Sequence, residues 1–369
     1  GSAVSTSSPG SHRGAGRPRV LAEEWRGAGD LAAVRAYASA TVLADGTILL
    51  VGGLDGDARD RTSRRAELYE PLAGASVTLP QAIIGRIHHT ATRAGELVVV
   101  TGGVQFLASG AVQALKETEI YDTRTRTWRA AGDLSQARSD ARATLLKDGR
   151  VLLTGGHDGP QLFSSTEIFD PATGVWTPAA PLPLPRTQFT IATLPDGRVL
   201  VAGGLEAPGL PSATSVLYDP VKDEWRDGPR LALERVLHAD LQLADGSVLF
   251  IGGQNAGGGS VEMYDPRTGT FSLLGTLVET RMLAQAVALP DGAVLVTGGL
   301  SSQRDATDFA PRPSAERYDP VRGTFESFAS PAEARALGKL ALLGAGVFQI
   351  GGLSRGERAT KTVELLGWR

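Results

Sequence analysis

An all-β fold, a closed seven-bladed β-propeller of four-stranded blades, is what this 369-residue sequence predicts. Three observations carry the prediction. A short apolar run ending in Gly-Gly occurs seven times, an Asp-Gly turn precedes it in five of those repeats, and a Trp-bearing segment near the N-terminus reads as the end of a repeat whose beginning is missing.

The Gly-Gly runs occupy residues 48–53, 98–103, 151–156, 199–204, 248–253, 294–299 and 347–352, so the glycine pairs recur every 46 to 53 residues. A fixed period of that length is the signature of a repeat architecture. The four residues before each pair are almost all apolar and rich in valine, leucine and isoleucine, as suits a buried strand. Glycine then lets the chain turn where a side chain would clash or forbid positive φ.

Each repeat reads as four strands. The first comes after an arginine, as in residues 186–194. It is closed by a turn at Asp45-Gly46, Asp148-Gly149, Asp196-Gly197, Asp245-Gly246 or Asp291-Gly292. Asp-Gly between apolar runs is a strong hairpin signal, because both residues tolerate positive φ. The second strand ends in Gly-Gly, a variable loop comes next, and a third strand such as residues 167–171 ends in Asp-Pro. The fourth carries an aromatic residue, as at Trp128, Trp176 and Trp225. The segment from Glu24-Trp25 to Asp30-Leu31 matches the ending at Thr127-Trp128 to Asp133-Leu134. Three strands without a successor lie at the other end, in residues 340–343, 347–350 and 362–366. Pairing Trp25's strand with the last of them closes the ring and removes exposed sheet edges. Residues 1–19, rich in Ser, Gly, Pro and Arg, are expected to be a disordered tail or linker, and residues 20–369 the propeller.

Gly-Gly after the second strand, Glu-x-Tyr-Asp-Pro in the third and a Trp some six residues later resemble the kelch repeat over residues 25–366. The resemblance implies kelch-type blades. It is nearly silent on function, since kelch-type propellers include protein-binding adaptors, sugar mutarotases, plant specifier proteins and copper oxidases. The copper oxidases use a Tyr cross-linked to Cys, and this sequence has no cysteine, so the resemblance does not extend to copper-radical chemistry. The Glu-x-x-x-Asp-x-x-x-His spacing of the specifier proteins is also missing. Its nearest counterpart, Glu234-Arg-Val-Leu-His238, lacks the Asp.

Composition narrows the remaining classes. A formal net charge of −3 offers no basic excess to neutralise a nucleic-acid backbone. Without cysteine there are no disulfides or thiolate ligands. No apolar run approaches the roughly 18 residues of a membrane span. The N-terminal segment resembles the stretch left behind by a cleaved export signal, which favours a secreted or periplasmic location over a cytoplasmic one; a monomer is expected.

Two repeated features read as structural. An arginine precedes the first strand in all seven repeats (Arg35, Arg86, Arg138, Arg186, Arg235, Arg281, Arg335). A glutamate opens the third in six (Glu67, Glu119, Glu167, Glu262, Glu316, Glu364), with Ser215 as the exception. A ligand is rarely seven-fold, so each Arg is expected to pair with a Glu and tie loop to blade. Gly352-Leu-Ser354-Arg-Gly356 matches a serine-hydrolase pattern by coincidence, because that motif requires a strand-to-helix turn. The spaced acids Asp55, Asp57 and Asp60 fall short of a calcium loop.

Strand order places the post-Gly-Gly loops and the fourth-to-first connections on one face, where variable sequence suits function. Four of the five histidines, His88, His89, His157 and His238, belong to that face, and the fifth, His12, is in the tail. Histidine is the usual proton-transfer residue near neutral pH and a common metal ligand. The expected function is binding of a polar small molecule or glycan at this channel mouth. Acid/base catalysis there would use His88, His157, His238 and Asp140, and Tyr37, His89, Arg142, Gln188, Asp240, Gln285 and Lys339 are the binding residues. Strand alternation turns about half of these inward and sets His88 and His89 in opposite directions. One alternative is an enzyme using a divalent metal on His88, His157 and His238. Another is a protein-interaction scaffold built on the loops at residues 104–116 and 300–314.

Overall fold

The computed structural model describes residues 21–55, 58–254, 259–301, 310–355 and 358–369. The predicted tail lies outside them, as do Asp57 and much of the loop at residues 300–314. The side chains of Asp55 and Asp60 are likewise not described. Among the described residues there is no helix. Seven antiparallel sheets form the blades. Six have four strands, and the seventh adds a short strand to its four. In blade 3, for example, Arg142–Leu145, Val151–Thr154, Thr166–Asp170 and Val175–Ala179 run in order from the axis outward.

The second strand is the most deeply buried in every blade, because both its faces pack against neighbouring blades. Leu49 and Val51 of blade 1, for instance, share a cluster with Val98, Val100 and Tyr121 of blade 2. The ring closes as predicted. The strand Leu21–Arg35 lies outside Arg358–Trp368, with Trp25 opposite Leu366, Gly27 opposite Glu364 and Asp30 opposite Thr362. Its Trp25 Nε1 donates to the carbonyl of Ala329 at 2.7 Å. Trp225 does the same to Ala180 at 2.7 Å and Trp128 to Pro80 at 3.1 Å, so the outermost aromatic residue latches each of these blades to the previous one.

The Gly-Gly pairs mark where blades approach most closely. A Cβ on Gly52 would stand 2.4 Å from the carbonyl oxygen of Arg86, and the amide of Gly53 donates to that oxygen at 2.9 Å. The contact recurs around the ring and closes from Gly352 back to Arg35 at 2.6 Å.

The arginines are structural, as expected. Arg35 and Glu67 meet at 2.7 Å, Arg86 and Glu119 at 2.6 Å, and Arg281 and Glu316 at 2.7 Å, all buried. The guanidinium also donates to the carbonyl of the first glycine of its own pair, at 2.8 Å from Arg35 to Gly52. The glutamate accepts an amide from the incoming connection, at 2.6 Å from Ala32 to Glu67. Arg186, facing Ser215 in place of a glutamate, takes Glu206 from its own blade's loop at 2.7 Å.

Candidate functional site

The residue two places after each ring arginine has a left-handed backbone. These are Tyr37 (φ 59°), His88 (54°), Asp140 (50°), Gln188 (55°), Leu237 (56°), Leu283 (54°) and Leu337 (56°). Side chains other than glycine and asparagine rarely adopt this conformation. Its recurrence makes it part of the architecture. The chain rises from the blade connection, bridges to the residue after the neighbouring Gly-Gly, as Ser139 does with His157, and must reverse before entering the inner strand. The seven side chains form a rim around a central cavity of about 630 Å³.

The left-handed residue also interrupts strand alternation, so more residues reach the cavity than parity allows. Tyr37, His88, His89, Asp140, Arg142, Gln188, His238, Asp240, Gln285 and Lys339 all line it. His157 does not.

At the rim, Asp140 holds two imidazoles. Its Oδ1 lies 3.0 Å from Nδ1 of His88, and its Oδ2 lies 3.2 Å from Nε2 of His157. Burial would push the Asp140 carboxyl up, but the hydrogen bonds from His157 and His88 outweigh it and hold the group well below the usual carboxylate range. An ionised carboxylate only accepts, so both facing ring nitrogens carry hydrogen. The amide of Gly159 donates to the other nitrogen of His157 at 3.1 Å, which sets the neutral ring in its Nε2–H form. The hydrogen bond to Asp140 raises the His157 pKa, against the smaller opposing effect of burial. His157 therefore stands behind Asp140 as a support. His88 is exposed, packs against Tyr37 with ring centroids 5.1 Å apart, and turns its Nε2 away from Asp140. No other hydrogen bond is made by its ring among the described residues.

His89 and His238 have a different task. Each stands three residues after a ring arginine and points into the seam with the preceding blade. His89 Nε2 meets Ser39 Oγ at 2.9 Å, and His238 Nε2 meets Thr190 Oγ1 at 2.8 Å. Burial, reinforced by Arg86 and by Arg235 respectively, holds both rings well below the usual histidine range and hence neutral. In blade 4 the same place is taken by buried Phe189. His88 thus meets Asp140 at the rim and His89 meets Ser39 in the seam, although both border the cavity. The suggested trio of His88, His157 and His238 is not assembled at one point. Among the described residues, no three His, Asp or Glu side chains are arranged to hold a metal ion.

Further along the inner strands lie Arg142, Asp240 and Lys339, from blades 3, 5 and 7. None of their side chains makes a hydrogen bond or ion pair with another described residue. Asp240 reaches the water of the channel but is ringed by protein, and burial pushes its carboxyl up against the pull of Arg142 and Lys339. Burial pushes the Lys339 ammonium down, and Arg142 adds to that. Gln285 turns its amide onto the carbonyl of Ala284 at 2.9 Å.

The loops of the same face include short hairpins, Val104–Phe106 with Val112–Ala114 in blade 2 and Leu205–Ala207 with Leu210–Pro211 in blade 4. Sequence reasoning missed the rim leucines and Glu206. The leucines share their offset from the ring arginine with Tyr37, His88, Asp140 and Gln188, so aligning the repeats on that arginine exposes them. Glu206 has no such signal.

Fold and site together define a closed propeller with a polar, charged cavity at the Gly-Gly end of its channel. The model of the Kelch motif matches residues 85–135 and 142–183, within blades 2 and 3 of this seven-bladed propeller. Among solved structures, it is similar to a novel fungal alcohol oxidase with catalytic diversity among the AA5 family, in complex with copper. The identity there is 18%, over 95% of this chain and 77% of that one, with a TM-score of 0.71. It is also similar to the structure of YjhT, at 13% identity over 90% of this chain and 95% of that one, with a TM-score of 0.57. Identities this low establish shared fold alone. No curated protein sequence matches the chain.

Proposed function

We propose that this propeller binds a small polar molecule carrying an anionic group, held in the central cavity. The observation behind this reading is the trio of Arg142, Asp240 and Lys339, three charged groups around one cavity with no hydrogen-bond partner among the described residues. Charged groups set into a protein wall lose hydration and need partners. The ring arginines have theirs inside the protein, whereas Arg142, Asp240 and Lys339 make no hydrogen bond to a described residue and open onto the channel. At the level of the inner strands Arg142 and Lys339 face Asp240, whose carboxyl burial pushes towards neutrality. The ionised Asp140 stands at the rim with its oxygens taken by His88 and His157, so the inner end of the cavity is where an anion would sit. Guanidinium in particular matches the planar fork of a carboxylate or phosphate.

His88 is the group placed for proton transfer to or from such a ligand. Asp140 fixes its Nδ1–H, and the neutral ring then presents the lone pair of Nε2, the arrangement that prepares an imidazole to act as a base. His157 positions Asp140 and does not touch the ligand.

The test is a thermal-shift screen of small carboxylates, phosphates and neutral sugars, run on the parent and on Arg142→Ala/Lys339→Met. Anions should raise the melting temperature of the parent only, and neutral sugars should do less. Anion shifts of equal size in both proteins would refute the proposal.

A further inference from the structure

The rim around the cavity is divided. Blades 1 to 4 contribute Tyr37, His88, Asp140 and Gln188, and blades 5 to 7 contribute Leu237, Leu283 and Leu337. All three leucines are half-buried at the cavity, and none belongs to a hydrophobic cluster of the blades. Their backbone is fixed independently of the side chain, as where the amide of Leu283 donates to the carbonyl of Leu237 at 2.8 Å. Glycine or asparagine would take the left-handed conformation more easily. Leucine here is therefore strained and adds little to the core. Its effect is an apolar arc over one side of the cavity, with the polar arc opposite and the cations below.

We infer that the ligand is amphipathic: a small carboxylate whose anionic head sits between Arg142 and Lys339, and whose apolar body, of the size of an aromatic ring, lies on Leu237, Leu283 and Leu337. The inference rests on the anion-binding reading above. The carboxylate is matched by the guanidinium of Arg142. An apolar body is stabilised by the surface it removes from water against the leucines.

The probes are sodium phenylacetate and sodium acetate, titrated by calorimetry at constant ionic strength into the parent, Leu283→Asn and Leu237→Asn/Leu283→Asn/Leu337→Asn. Asparagine suits the left-handed backbone, so these variants should melt at or above the parent's temperature. If the triple variant fails to fold, Leu283→Asn carries the comparison alone. The parent should bind phenylacetate about tenfold more tightly than acetate, as burial of one ring surface allows. The triple variant should lose that preference and keep its acetate affinity, with Leu283→Asn in between. Equal affinity of the parent for the two probes, or a preference that survives the leucine substitutions, overturns the inference while leaving the anion site standing. Binding of neither probe to the parent overturns both.

Discussion

Asp140 is the residue on which the candidate site turns, because one ionised carboxylate fixes two rings. Its replacement, Asp140→Asn, should free His88 to rotate and cost about 1–2 kcal/mol of stability, the range for charge-assisted hydrogen bonds at a partly exposed site. The loss should depend on pH in a defined direction. His157 has a raised folded pKa, so its stabilisation is complete below the unfolded value of 6.5 and is lost as pH rises through the folded value. Asp140 has a lowered folded pKa, so its stabilisation is present above 3.8 and is lost only as pH falls towards the folded value. Parent and variant should therefore differ most between those limits, and the gap should narrow without closing on the alkaline side, where the neutral rings still donate to the Asp140 carboxylate. Melting curves near pH 6 and pH 8 check this, and a gap that widens with pH contradicts it. The residue types of this site were readable in the sequence, His88 and Asp140 among them. Their roles were less so, because a left-handed residue breaks the alternation from which inward and outward are counted. His238 read as a member of the cluster, yet it shares the offset of His89 and, like it, packs between blades.

At the scale of elements, the glycines of each Gly-Gly pair and those of the Asp-Gly turns differ in what they must do. A Cβ on Gly46 meets nothing within 4 Å, so Gly46→Ala incurs only the left-handed backbone cost, roughly 1 kcal/mol. Gly52→Ala incurs that cost and drives a methyl group against the Arg86 carbonyl at 2.4 Å, for a total of about 3 kcal/mol. Chemical denaturation of the two variants measures the difference, and equal losses would mean that blades are not held at that contact. The N-terminal strand is the second element with a specific expectation. Removing residues 1–19 should leave the melting temperature unchanged. Removing residues 1–30 should lower it sharply, because blade 7 loses its outer strand and the Trp25 latch to Ala329. A protein lacking residues 1–30 that melts like the parent would refute closure by this strand. These elements were legible in sequence because they recur, the Gly-Gly pair seven times and the Asp-Gly turn five, and the Trp25 segment matched the Trp128 ending nearly residue for residue. The loop glutamate of blade 4 was not legible, since Glu206 comes from the variable loop of its own blade, where the repeat sets no fixed residue, to meet Arg186.

The whole molecule is a rigid frame that turns seven equivalent positions towards one axis. Where the frame repeats, arginine meets glutamate and the charge is neutralised inside the protein. Where it departs from repetition, at the rim and at Arg142, Asp240 and Lys339, side chains face a shared cavity. That separation is why the fold could be read from the sequence almost completely and the site only as a set of candidates: repetition marks what the frame needs, and the ligand-facing residues are marked only by differing. The chain has five histidines, which makes ring-nitrogen NMR the most direct test of the central claim. Acetate titrated into histidine-labelled protein at constant ionic strength should shift the His88 signals saturably and leave those of His89 much less changed. The same titration of Arg142→Ala/Lys339→Met should leave His88 unmoved. A His88 signal that does not respond in the parent, or responds equally in the variant, would contradict an anion site in the channel.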